Sequence, residues 1–185
     1  MSSNRRLLSN TLESGSSSGL YAIYNEGTQY VQLSSAIIRA YNYPTSTNSS
    51  VVFDEEYITC YSYDTVYYPI ITIVFTSNKL DITNYNTINL TYDFYDNDTS
   101  LYDAKPNAGI FLANSIIPDT TNNNKNDPDL FVVYVRDPVS RVSSVDKRTI
   151  SLDISSYLGE YYIGIPFGMN KTVATIRIYS IILSK

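Results

Sequence analysis

The chain has 185 residues, of which 43% are hydrophobic and 17% charged, with a formal net charge of −5 and a pI near 4.6. That length suits one domain with a sizeable core and is cramped for two, and the acidic balance argues against a nucleic-acid partner, because phosphate neutralisation needs clustered Lys and Arg whereas basic residues here never run beyond a pair such as Arg5-Arg6. There is no histidine, which removes the commonest general base and metal ligand, and a single cysteine, Cys60, cannot form an intrachain disulfide.

Met1 to Gly19 differ in composition from the remainder of the chain. A basic pair and Leu7-Leu8 lead into Glu13-Ser-Gly-Ser-Ser-Ser-Gly19, which reads as an arm and flexible linker rather than as a signal peptide. The domain is expected to span residues 20–185. No apolar run approaches the roughly 20 residues that cross a bilayer, so no membrane insertion is expected.

From Leu20 the pattern is strands and turns. Leu20–Tyr24 and Gln29–Leu33 flank the hairpin signal Asn25-Glu-Gly27, and Ala36–Tyr43, Val51–Phe53, Tyr57–Tyr63 and Tyr67–Phe75 come next as strands. In the last of these, Pro69 points to an edge or bulge, and Ile71, Ile73 and Phe75 are expected to supply an inward face. Ile88, Leu90, Tyr92 and Phe94 then alternate with Thr87, Asn89, Thr91 and Asp93, the signature of a half-buried strand. Gly109–Ala113 and Phe131–Arg136 continue the series. Later, Ile150, Leu152 and Ile154 repeat the alternation. Asp81, Thr83 and Asn84 before the first run have side chains that bond their own backbone and read as a corner, Ser155-Ser156-Tyr157 after the second run reads as another, and two corners suggest two layers. The final strand, Thr172–Leu183, is expected to be central, with Val173 and Ile181 on one face and Ile176 and Ile178 on the other. The 19 Tyr and 6 Phe, with no Trp, suit pleated and half-exposed surfaces. About a dozen short strands separated by regular turn signals describe an all-β, antiparallel two-sheet sandwich, and a jelly roll is the leading topology.

Three features bear on chemistry. Tyr57, Tyr61, Tyr63, Tyr67 and Tyr68 lie close in sequence, as do Tyr161 and Tyr162; aromatic rings accept the apolar C–H faces of sugars, so the first set is the candidate ligand-binding site. The loops Asp96-Asn97-Asp98 with Asp103, and Asp119 with Asn122 to Asp129, carry oxygen ligands that suit calcium but lack its loop spacing, and they read as solvated turns. Asn-x-[Ser/Thr] occurs at Asn48, Asn89, Asn97 and Asn170, as chance matches in a chain rich in these residues. A glycan hydrolase would need two carboxylates facing across a cleft, and Asp54, Glu55 and Glu56 are merely adjacent. No cofactor, no metal and no catalytic residue is assigned.

The order of three phrases, Leu20-Tyr-Ala-Ile-Tyr-Asn-Glu-Gly27, Phe75-Thr-Ser-Asn-Lys-Leu-Asp-Ile-Thr-Asn-Tyr85 and Ile150-Ser-Leu-Asp-Ile-Ser-Ser-Tyr-Leu-Gly-Glu-Tyr-Tyr-Ile-Gly-Ile165, resembles minor structural proteins of tailed bacteriophages, in which a short arm precedes a jelly-roll domain similar to carbohydrate-binding modules. The Gly-Gly-Trp often found after the first hairpin of such proteins is replaced by Ser34-Ser-Ala36, and no site residue is carried over. The resemblance implies a non-enzymatic virion protein, an appendage, fibre, tail or capsid-decoration subunit. It would be assembled in the host cytoplasm, joined to other virion proteins by its arm, homo-oligomeric, and able to contact host-surface glycan during attachment. The alternative is a soluble carbohydrate-binding module or receptor-binding domain.

Overall fold

Residues 19–39, 50–63, 70–96, 107–115, 132–138, 144–169 and 173–185 are described by the computed structural model. The expected arm, Pro69 and most of the acidic loops lie outside these residues. Every element among them is a strand: β1 (Leu20–Asn25), β2 (Thr28–Gln29), β3 (Leu33–Arg39), β4 (Ser50–Phe53), β5 (Ile58–Tyr63), β6 (Ile70–Thr76), β7 (Leu80–Asp81), β8 (Thr87–Asp96), β9 (Asn107–Ala113), β10 (Val133–Pro138), β11 (Ser144–Asp153), β12 (Glu160–Met169) and β13 (Val173–Ser184).

Alternation in β8 sorts its side chains as the sequence implies. Ile88, Leu90, Tyr92 and Phe94 are buried, and Thr87, Asn89 and Thr91 stand on the opposite face, where they bond to one another and to Thr149, Ser151 and Ser184 of the flanking strands. β8 lies between β11 and β13 in the larger sheet. The far side of β13 pairs with β1 along one half and with β5 along the other, while β2 extends β1 and β4 extends β5. The smaller sheet runs β10-β9-β12-β6-β3, with β7 also on β12. All pairings are antiparallel, so the chain forms an all-β two-sheet sandwich. One apolar core joins the layers: Ile23, Ile58, Leu90, Ile176 and Ile178 from the larger sheet meet Val74, Ile110, Leu112, Ile165 and Phe167 from the smaller. Phe94 and Phe167 bridge them with ring centroids 6.0 Å apart. Cys60 is buried in this core, and burial pushes its thiol up to about 12.

Both corners carry the chain between sheets. In each, the Asp carboxylate accepts from the backbone N–H and the hydroxyl two residues on: Thr83 to Asp81 at 3.0 and 2.6 Å, Ser155 to Asp153 at 2.9 and 2.7 Å. These bonds hold both carboxyls below the usual range. Each corner then closes with a backbone bond from Tyr to Ile, Tyr85 to Ile82 and Tyr157 to Ile154, and drives a fully buried isoleucine into the core. The corners also bond across to each other, through Ile82 N–H to the Gly159 carbonyl and Gly159 N–H to the Thr83 hydroxyl. The first hairpin turns through Glu26 and Gly27, both with positive φ (43° and 81°), as a two-residue hairpin loop prefers.

Two face assignments differ from the expectation. In β6 it is Thr72, Val74 and Thr76 that point inward, whereas Ile73 and Phe75 lie on the outer face of the smaller sheet with Phe111, Ala113 and Tyr162. Alternation favours the opposite choice, because Ile71, Ile73 and Phe75 make the more apolar face, and tertiary packing overrides it. The threonines are tolerated inside because their hydroxyls are bonded, Thr72 donating to the Phe167 carbonyl and Thr76 accepting from Ile163 N–H. In β13 a register shift between Ile178 and Ser180 inserts one residue, so Ile176, Ile178, Ile181 and Leu183 all face the core, contrary to the expected split between Ile181 and the Ile176/Ile178 pair. β13 is central, as expected.

Leu90→Ala should lower stability by about 2–5 kcal/mol through lost transfer and cavity formation, and Thr91→Ala by under about 1 kcal/mol. Gly27→Ala should be among the most damaging turn substitutions, because it combines positive φ with a methyl group that would overlap the Glu55 backbone carbonyl. Urea unfolding of the three variants checks both statements; equal midpoints for Leu90→Ala and Thr91→Ala would contradict the face assignment.

Candidate ligand-binding face

Antiparallel register gathers distant residues on the outer face of the larger sheet. Arg177 of β13 lies opposite Asp93 of β8 on one side and Thr59 of β5 on the other, and Thr175 lies opposite Tyr95 and Tyr61. The bulge in β13 delivers Tyr179 to the same face. Arg177 Nε donates to Asp93 Oδ1 at 2.9 Å, Arg177 Nη2 donates to Oδ2, and the Tyr179 hydroxyl donates to Oδ2 at 2.7 Å. These three donors account for a carboxylate that is only 7% exposed.

Rings surround the guanidinium. Its carbon lies 5.4 Å from the Tyr57 ring centroid, 5.2 Å from Tyr95 and 5.9 Å from Tyr179, and the Tyr57 and Tyr179 rings meet edge-on at 5.8 Å. Lys147 Nζ sits 4.1 Å from the Tyr179 centroid. Asp93 raises the Arg177 pKa chiefly through its hydrogen bonds, so the cation is held charged. Burial, then the bond to Asp93, pushes the Tyr179 phenol up to about 12. The result is an aromatic patch with a fixed charge pair at its centre. Tyr95 and Val52 are exposed on this face, at 36% and 46%.

This patch contains Tyr57 and Tyr61 of the expected set. Tyr57 stacks on the charge pair, and Tyr61 is half-buried opposite Thr175. Tyr63 ends β5 opposite Val173; its side chain, and all of Tyr67 and Tyr68, lie outside the described residues. Tyr161 and Tyr162 are separated by the pleat, the former packing on the core and the latter on the outer face of the smaller sheet with Lys79 Nζ 5.9 Å from its ring. Sequence reading missed Tyr95, Tyr179, Arg177, Asp93 and Lys147. A usable signal was present: Arg177 between Ile176 and Ile178, and Asp93 between Tyr92 and Phe94, are charges at outward positions of strands whose alternate residues are buried.

A second polar group ties the layers together. The Tyr92 hydroxyl donates to Asp137 Oδ2, Arg148 Nε and Nη2 each donate to the Tyr92 oxygen at 3.2 Å, and Arg148 pairs with Asp137. β8 and β11 of one sheet are thereby fastened to β10 of the other. Among the described residues no group of three or more His, Cys, Asp or Glu side chains is placed to hold a metal, and Asp54, Glu55 and Glu56 are all exposed.

No family model matches the sequence, and no curated protein does. Among solved structures, the family 11 carbohydrate-binding module from Clostridium thermocellum, in complex with a β-1,3-1,4-mixed-linked tetrasaccharide, is similar with a TM-score of 0.48 and 12% identity, over 91% of this chain and 97% of that one. The enzymatically active domain of tailspike protein 4 of bacteriophage CBA120 is similar with a TM-score of 0.47 and 10% identity over 81% of this chain. The Endo-D glycoside hydrolase domain from Streptococcus pneumoniae R6 is similar with a TM-score of 0.44 and 8% identity over 82% of this chain. This chain spans 19% of the tailspike chain and 21% of the hydrolase chain.

Alkaline pH should destabilise the fold. Tyr24, Tyr85, Tyr92 and Tyr179 all have pKa values raised above 10.0, with burial the leading cause in each. The native state thus favours neutral phenols more than the unfolded state does, and the stabilisation is complete below pH 10 and lost as pH rises from there through the native values. Denaturant midpoints measured between pH 8 and pH 12 should begin to fall above about 9, where the Cys60 thiol ionises only in the unfolded chain, and fall more steeply beyond about 10 as the phenols follow; Tyr179→Phe should flatten part of the steeper fall.

Proposed function

We propose that this chain is a non-catalytic glycan-binding domain whose ligand lies across the outer face of the larger sheet, on Tyr57, Tyr61, Tyr95 and Tyr179. The observation that carries this reading is the cluster of tyrosines fixed around the Arg177–Asp93 pair on an open sheet face. Rings already held by a guanidinium lose little freedom on contact, and their flat faces match the C–H faces of sugar rings. Arg177 Nη1 and Lys147 Nζ supply donors for hydroxyl groups at the rim. A binding rather than catalytic role is supported by the absence of histidine and by Asp93 being engaged by three donors.

The finer setting, an appendage or decoration subunit of a phage particle attached through residues 1–19, is supported by the resemblance carried by the first hairpin and the two corners. Many copies on one particle would make weak contacts sufficient: a single-site affinity near millimolar, about −4 kcal/mol, becomes useful when several sites engage one polysaccharide.

The test is a glycan array together with a pull-down on bacterial cell-wall polysaccharide. Wild-type protein should bind, Tyr57→Ala and Tyr95→Ala should each weaken binding by about tenfold, equal to about 1.4 kcal/mol, and Thr149→Ala, at the edge of the same face, should leave it unchanged. No binding by an oligomeric display of the wild type would leave a purely structural role. Deletion of residues 1–18 addresses the setting: the domain should still fold, and incorporation into a particle should be lost.

A further inference from the structure

Sheet edges present unpaired backbone groups, and four of the long or short edges here carry the usual protections. β11 has a register shift between Val145 and Arg148 with Asp146, Lys147 and Arg148 within or beside it; β10 carries Arg136, Asp137 and Pro138; β2 has two residues and β4 has four. β3 differs. It is seven residues long, Leu-Ser-Ser-Ala-Ile-Ile-Arg, its pairing with β6 runs from Leu33↔Thr76 to Arg39↔Ile70 without a shift, and no strand pairs along its other side among the described residues.

The direction of its backbone groups follows from one bond. Ser77 N–H donates to the Gln32 carbonyl at 2.8 Å, so the pairs that exchange bonds with β6 are those at Ser34, Ala36 and Ile38, and the N–H and C=O of Leu33, Ser35, Ile37 and Arg39 turn away from the sheet. Leu33 N–H is met by the Gln29 side-chain oxygen at 3.3 Å, as that geometry requires. Ser35, Ile37 and Arg39 remain as three outward-facing positions in an uninterrupted extended run. We infer that β3 is a homodimer edge, at which a second copy of this chain adds its own β3 antiparallel across a two-fold axis.

The pattern is self-complementary in that arrangement. A register centred on Ile37 pairs Ser35 with Arg39 of the partner and Arg39 with Ser35, so every outward position meets an outward position, as an isologous interface demands. The strand's one charge stands at its end, and two-fold antiparallel pairing sets the two Arg39 positions at opposite ends of the ladder, whereas parallel pairing would place like charges side by side. The chain carries a net charge of −5, and this edge is a place where two copies can meet without joining acidic residues.

The experiment is sedimentation equilibrium of the full chain over a dilution series from about 1 µM to 1 mM, with Ser35→Pro and Ser35→Lys. Ser35 is exposed, and its N–H is not used inside the fold, so proline there removes only an outward donor. The wild type should reach twice the 20.9 kDa of one chain. Both variants should weaken dimerisation at least tenfold while melting like the wild type at a dilution where all are monomers, whereas Ala36→Pro, which deletes a bond to β6, should melt lower. If Ser35→Pro fails to fold, Ser35→Lys carries the test alone. A wild-type monomer throughout the series, or dimers of unchanged affinity in Ser35→Lys, would overturn the proposal.

Discussion

The single extra residue in β13 is the constraint on which both the core and the candidate site depend. Without the shift between Ile178 and Ser180, strict alternation would send either Ile176 and Ile178 or Ile181 and Leu183 to solvent, in the strand that is bonded on both sides along most of its length. With it, all four enter the core, and the residue at the shift, Tyr179, is released outward, where its hydroxyl reaches Asp93. Its backbone carbonyl accepts from Glu26 N–H, which also ties the bulge to the first hairpin. One irregularity therefore completes the interior, places an aromatic ring on the exposed face and anchors a turn.

Around that strand the fold solves the problem of joining two sheets twice with the same device. Asp81–Tyr85 and Asp153–Tyr157 each use a carboxylate to satisfy a turn and an isoleucine to seal the core, and they stand against each other at one end of the sandwich. Tyr92, Asp137 and Arg148 supply a second, polar tie between the layers. Buried threonines in β6 are compatible with this packing because each hydroxyl is bonded, so their placement adds no unsatisfied group to the interior.

The Arg177–Asp93 pair is built differently from a surface ion pair. A bidentate fork onto Asp93, whose carboxylate also accepts from Tyr179, and rings on several sides hold the guanidinium in one orientation, which a lysine at this position could not reproduce. Such a pair serves to fix the tyrosines relative to one another. That preorganisation is what distinguishes this patch from Tyr161 and Tyr162, which are neighbours in sequence and lie on opposite faces of their sheet.

The sequence by itself determined the class of fold, the inward residues of β8 and β11, the first hairpin and the two corners, because these rest on local physics: period-two alternation, positive φ at Glu26-Gly27, and short polar side chains that bond their own backbone. Tyr57 and Tyr61 were legible as site candidates for the same reason, being adjacent on one strand and its entry. The tertiary structure decided what alternation does not. In β6 the more apolar face, Ile73 and Phe75, turns outward onto Phe111 and Tyr162, and Val74 turns into the core between two bonded threonines, a choice alternation alone gets wrong. The parity of β13 depended on a bulge with no residue signature of its own, and the meeting of Asp93, Lys147, Arg177 and Tyr179 with Tyr57 depended on strand order, since residues separated by up to 122 positions become neighbours only when non-local strands pair.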